Sequence, residues 1–126
     1  MKPEVVVITG ASAGVGRAAA QAFGKRGALV GLLARGRDGL EGARREIESA
    51  GGRALVLPTD VADAKQVEAA AQAVENKFGP IDVWVNNAGR GISRMVSELT
   101  DDDLRHDVPV AGAGDFQVLV RHAEVL

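Results

Sequence analysis

The run Val5-Val6-Val7-Ile8-Thr9-Gly10-Ala11-Ser12-Ala13-Gly14-Val15-Gly16 decides the fold of this chain. Four consecutive branched apolar residues, Val5 to Ile8, predict a strand buried on both faces, as strands of a parallel sheet are. Small residues and glycines then make a tight turn, and Arg17-Ala18-Ala19-Ala20-Gln21-Ala22-Phe23 continues as a helix-forming run. Strand, glycine turn and helix in direct succession aim backbone N–H groups and the positive end of a helix dipole at one place. Such a place holds a phosphate. The chain begins with an anion cradle.

Outward from this unit the same alternation repeats. Ala28 to Leu33 predicts a second buried strand, between Gly27 and Arg35-Gly36-Arg37. Leu40 to Ile47 places apolar or small residues at 40, 43 and 47, a helical spacing, and Gly51-Gly52 ends that helix. Arg53 to Leu57 is a third strand, Val61 to Phe78 a second amphipathic helix stopped by Gly79-Pro80, and Ile81 to Val85 a fourth strand. Strands joined by helices of this length make right-handed crossovers and a parallel sheet covered on both faces. The expected fold class is α/β: a partial, Rossmann-like doubly wound parallel sheet, truncated, with strand order 3-2-1-4. Residues 1–105 form the predicted dinucleotide-binding half-domain, and residues 106–126 an atypical tail. There Pro109 interrupts a helical start, Ala111-Gly112-Ala113-Gly114 is a flexible run, and Phe116 to Val120 reads equally as strand or helix.

Composition bounds the function. A chain of 126 residues, 46% hydrophobic and 25% charged, is one ordinary soluble globular domain at most. A net charge of −2 provides no basic field for nucleic acid. The absence of cysteine excludes a disulfide framework and a thiolate metal site, and fits a reducing cytoplasm. No apolar run is long enough for a membrane span, and no signal peptide precedes the first strand. His106 and His122 have no paired ligand spacing, so no metal site is expected.

The spacing Gly10, Gly14, Gly16 leaves three residues between the first two glycines, where the general dinucleotide fingerprint has one. Gly10 permits a sharp exit from the strand, Gly14 a close approach to a pyrophosphate, Gly16 tight packing of helix on sheet, and Ser12 a hydroxyl contact. At the end of the second strand, Arg35 lies 19 residues beyond Gly16, where the adenine ribose is read. An acid there accepts from the 2′-hydroxyl of NAD, whereas an arginine pairs with the 2′-phosphate of NADP. Arg37 is a weaker second candidate. Pro58-Thr59-Asp60-Val61 and Asn86-Asn87-Ala88-Gly89 end the third and fourth strands on the same carboxyl edge. By spacing alone Asp60 serves equally as acceptor for an exocyclic amine or as N-cap of the following helix.

Thr9-Gly10-x-x-x-Gly14-x-Gly16, Leu33-Ala34-Arg35, Asp60-Val61 and Asn86-Asn87-Ala88-Gly89, in this order and spacing, resemble the N-terminal, cofactor-binding half of the short-chain dehydrogenase/reductase family. The resemblance covers residues 4–105. It implies an NAD(P)(H)-dependent oxidoreductase fold in which Gly10, Ser12, Gly14 and Gly16 surround the pyrophosphate, with Ala13 and Val15 in the same turn. It also implies Asp60 and Val61 at the adenine, and Asn87, Ala88 and Gly89 near the ribose. Arg35 matches the NADP-preferring type, with NAD the alternative; many such members carry a basic residue where this chain has Ala13.

The family's catalytic serine, Tyr-x-x-x-Lys pair and assisting asparagine lie further along its longer chains. Here the counterpart of the asparagine motif is Asp107-Val108-Pro109-Val110, and the chain contains no tyrosine. Ser93 and Ser97 read as loop and cap residues, and no partner that would orient His106 or His122 for catalysis is visible. No catalytic residue is therefore assigned, and binding without turnover is expected. Truncation predicts that Val83-Trp84-Val85 forms a sheet edge unless the tail covers it, which invites a homo-oligomer. A non-catalytic nucleotide-binding or interaction module working through that edge is the alternative function.

Overall fold

Each apolar run becomes a strand and each periodic run a helix. The computed structural model describes residues 3–87 and the strand at 117–120. Along the chain lie β1 (Val5–Thr9), α1 (Gly14–Lys25), β2 (Leu29–Ala34), α2 (Arg37–Ser49), β3 (Arg53–Pro58), α3 (Ala64–Phe78), β4 (Val83–Asn86) and β5 (Gln117–Val120). The sheet order is β3-β2-β1-β4-β5. β1 pairs in parallel with both β2 and β4, and β2 in parallel with β3, as the expected 3-2-1-4 order requires.

Because successive side chains of a strand point to opposite faces, β1 feeds two cores. Val5 and Val7 join Trp84 and the α3 residues Val67, Ala70 and Val74. Val6 and Ile8 join Ala20 of α1, Leu40, Ala43 and Ile47 of α2, and Val83 and Val85 of β4. Val6, Val7, Ile8 and Trp84 are fully buried. Each buried branched side chain contributes about 1.5–3 kcal/mol of transfer free energy, so β1 anchors the cores on both faces of the sheet.

Two expectations are corrected. The cap of α3 is Asp63, whose carboxylate accepts from the Lys65 N–H, so the helix starts at Ala64 and not Val61. Asp60 is thereby released from the capping role. Second, β4 is not an edge. The tail supplies β5, which runs antiparallel to β4 with Val83 opposite Val120 and Val85 opposite Val118. Phe116 to Val120 thus resolves as strand over Gln117–Val120. β5 thus covers the β4 edge on which the interaction-module and homo-oligomer expectations rest. Among the described residues no helix is long and apolar enough to cross a membrane.

Candidate functional site

The carboxyl ends of β1, β2, β3 and β4 meet in a cleft of about 490 Å³ lined by Gly10, Arg35, Thr59, Asp60, Val61 and Asn87 among others. A groove of about 530 Å³ lies elsewhere, between α1 and α2, away from the strand ends. The smaller cleft is the one the topology favours, since ligands of open parallel sheets sit beyond the strand carboxyl ends.

Backbone sterics build one wall. Thr9 is fully buried. Its Oγ1 accepts from the Asn87 N–H at 2.9 Å and donates to the Val85 carbonyl at 3.5 Å, tying β1 to the exit of β4. Asn87 Nδ2 in turn donates to the Gly10 carbonyl at 3.4 Å. Gly10 has φ +65°, and a Cβ there would stand 3.0 Å from Asn87 Nδ2. At Gly16 a Cβ would clash with the Gly10 carbonyl oxygen, so this glycine lets α1 pack close against the turn that leaves β1. Gly14 differs from both: its φ is +59°, yet its Cβ position meets nothing within 4 Å. The first turn of α1 has neither a side-chain cap nor an acid. A helix start of this kind leaves N–H groups without intrahelical partners, the chemistry that suits an anion.

Charge builds the other wall. Arg35 Nη2 lies 3.2 Å from Asp60 Oδ1, with the arginine side chain 77% exposed. The same Oδ1 accepts from the Ala62 N–H at 3.0 Å, and the Asp60 N–H donates to Gln66 Oε1 at 2.8 Å. The Ala62 N–H, and after it the Arg35 guanidinium, hold the Asp60 carboxyl below its ordinary range. Val61 is half-buried beside them, and Val15 is 58% exposed at the start of α1.

The structure thus brings Gly10, Arg35, Asp60, Val61 and Asn87 to one cleft. Ser12, Ala13, Gly14, Val15 and Gly16 lie on the adjoining turn and helix start. Ala88, Gly89, Ser93, Ser97, His106, His122 and the 107–110 motif lie outside the described residues. Sequence reasoning missed the Thr9 strut, although a polar residue closing a fully apolar strand is a visible signal of one. It also missed Arg17, whose guanidinium reaches Glu46 and the Ser12 carbonyl; a pairing across 29 residues leaves no local signal.

A sequence model of the short chain dehydrogenase family matches residues 4–122. The chain belongs to that family. It is 41% identical over 103 residues to a fatty acyl-CoA reductase of Mycobacterium tuberculosis, covering 82% of this chain and 34% of that protein. It therefore spans about a third of that relative's length. Its fold matches L-sorbose reductase from Gluconobacter frateurii, solved with NADPH and L-sorbose, with TM-score 0.66 and 43% identity over 72% of this chain and 35% of that one. A metagenomic short-chain oxidoreductase solved with NADP matches equally, with TM-score 0.66 and 42% identity over 72% of this chain and 41% of that one.

Proposed function

We propose that this chain binds a nicotinamide dinucleotide along the carboxyl edge of its sheet, NADP(H) in preference to NAD(H), without reducing a carbonyl on its own. The observation that carries this reading is the single cleft shared by Gly10, Arg35, Asp60 and Asn87. The residues fit the cofactor. Gly10, Ser12, Ala13, Gly14, Val15 and Gly16 present an uncapped helix start for its pyrophosphate. Arg35 is the partner for a 2′-phosphate, with Asp60 and Val61 beside the adenine and Asn87, Ala88 and Gly89 beside the ribose. The Arg35–Asp60 pair is exposed and easily exchanged, and a phosphate dianion is a stronger acceptor than one shared carboxylate.

Bound NADPH would supply a hydride. A carbonyl taking that hydride needs an acid for the nascent alkoxide, and no tyrosine stands among the 126 residues to serve as one. Residues 1–105 supply the binding half in this reading, and the tail from 106 adds β5 to its sheet. The whole protein's chemistry is that of a carbonyl or secondary-alcohol oxidoreductase, as the sorbose and acyl-CoA reductases among its relatives suggest. A cytoplasmic setting fits a chain without cysteine. Titration of the purified chain with NADPH, followed by an assay of carbonyl reduction, tests both parts. Saturable binding without turnover is expected; absence of binding overturns the first part, and measurable turnover the second.

A further inference from the structure

Arg17 follows the glycine turn directly and makes three bonds from one guanidinium. Its Nε donates to Glu46 Oε1 at 2.9 Å, its Nη2 to Glu46 Oε2 at 2.9 Å, and its Nη1 to the Ser12 carbonyl at 3.3 Å. Gln21 Nε2, one turn along α1, donates to Glu46 Oε1 at 2.9 Å. The carboxylate of α2 is therefore held from two levels of α1. Two glycines of α2 make room for this contact: a Cβ on Gly42 would stand 2.7 Å from Arg17 Nη2, and one on Gly39 2.7 Å from Ser12 Cβ.

As an ion pair this contact is a weak source of stability, because the side chains are 32% and 38% exposed. What sets it apart is the destination of the third N–H. Two bonds to Glu46 fix the plane of the arginine fork, which leaves Nη1 a single direction, onto the turn. A trans peptide is planar, with its C=O and N–H pointing opposite ways, so holding the Ser12 carbonyl toward Arg17 also fixes the direction of the Ala13 N–H. That N–H belongs to the turn assigned to the pyrophosphate.

We infer that Arg17, held by Glu46, is a positioning residue that locks the Ser12–Ala13 peptide for the pyrophosphate of the cofactor. The inference rests on the dinucleotide-binding reading above. It predicts a loss confined to ligands that carry a pyrophosphate. Two ligands separate the cases: NADPH, and 2′-AMP, which has the adenine and the 2′-phosphate but no pyrophosphate. Calorimetric titration of the wild-type chain comes first, and failure to bind NADPH there overturns the underlying reading before any variant is made.

With wild-type binding in hand, Arg17→Met should weaken NADPH about tenfold and leave 2′-AMP within about twofold. Gly42→Ala should act in the same direction by pushing the guanidinium aside. Its thermal midpoint should not fall, because alanine propagates a helix better than glycine. Should Arg17→Met fail to fold by far-UV circular dichroism, Gly42→Ala decides alone. NADPH affinity unchanged in the folded variants overturns the inference. So does a parallel fall for both ligands, which is the signature of simple α1–α2 glue.

Discussion

The two walls of the cleft are built on different principles. On the β1 side, Thr9, Gly10, Gly16 and Asn87 form a tight, partly buried contact in which a single carbon added at Gly16 would clash with the Gly10 carbonyl oxygen. On the β2–β3 side, Arg35 and Asp60 form an exposed pair at 3.2 Å that carries charge and little packing. The first wall fixes shape and tolerates almost no change; the second, on the proposed reading, sets ligand preference and tolerates exchange. Shape and preference are therefore separable by substitution, which a site built from one cluster of side chains would not allow.

The most damaging way to probe this contrast is Gly16→Ala. The new Cβ meets backbone on an adjoining segment, so a loss of about 3 kcal/mol in chemical denaturation is expected, with NADPH binding abolished. Gly14→Ala sharpens the point within the same motif: its Cβ meets nothing, and only the φ of +59° is strained, so about 1 kcal/mol is expected. Equal losses at the two glycines would break the steric account.

Thr9→Val removes the acceptor for the buried-end N–H of Asn87 and should cost about 2 kcal/mol in the same measurement. A neutral result would mean that the strut does not hold β1 to β4. Smaller still is a pH effect at Glu46, whose carboxyl the Arg17 bonds, then Gln21, hold down to about 2 from 4.5. The folded chain binds fewer protons there than the unfolded chain, so this contribution is complete above pH 4.5 and is lost as pH falls toward 2. Glu46→Gln should flatten that part of the stability profile. Smallest in stability is Arg35→Ala, which should leave the thermal midpoint unmoved while lowering the NADPH-over-NADH preference about tenfold.

Much of the fold was legible because β1, β2 and β4 are built on apolar runs, and their branched side chains must be covered on both faces. The carboxyl-edge residues were legible for the same reason: once the strand ends are placed, Gly10, Arg35, Asp60 and Asn87 fall together. Asp60 and Asp63 show the limit. Both are acids three residues apart before a helix, and only the backbone decides that Asp63 caps while Asp60 turns to Arg35. β5 was only half legible: Phe116 to Val120 reads equally as strand or helix, and so short a run carries no signal of its partner. The Arg17–Glu46 contact was hidden for a related reason, since it is defined by how two helices cross.

The central claim is that this cleft is a dinucleotide site with an NADP preference set by Arg35. Parallel calorimetric titrations of the full chain with NADPH and NADH test it most directly. Saturable binding of both, with NADPH tighter by about tenfold, is the result the account predicts. Binding of neither cofactor, or NADH bound as tightly as NADPH, would contradict it.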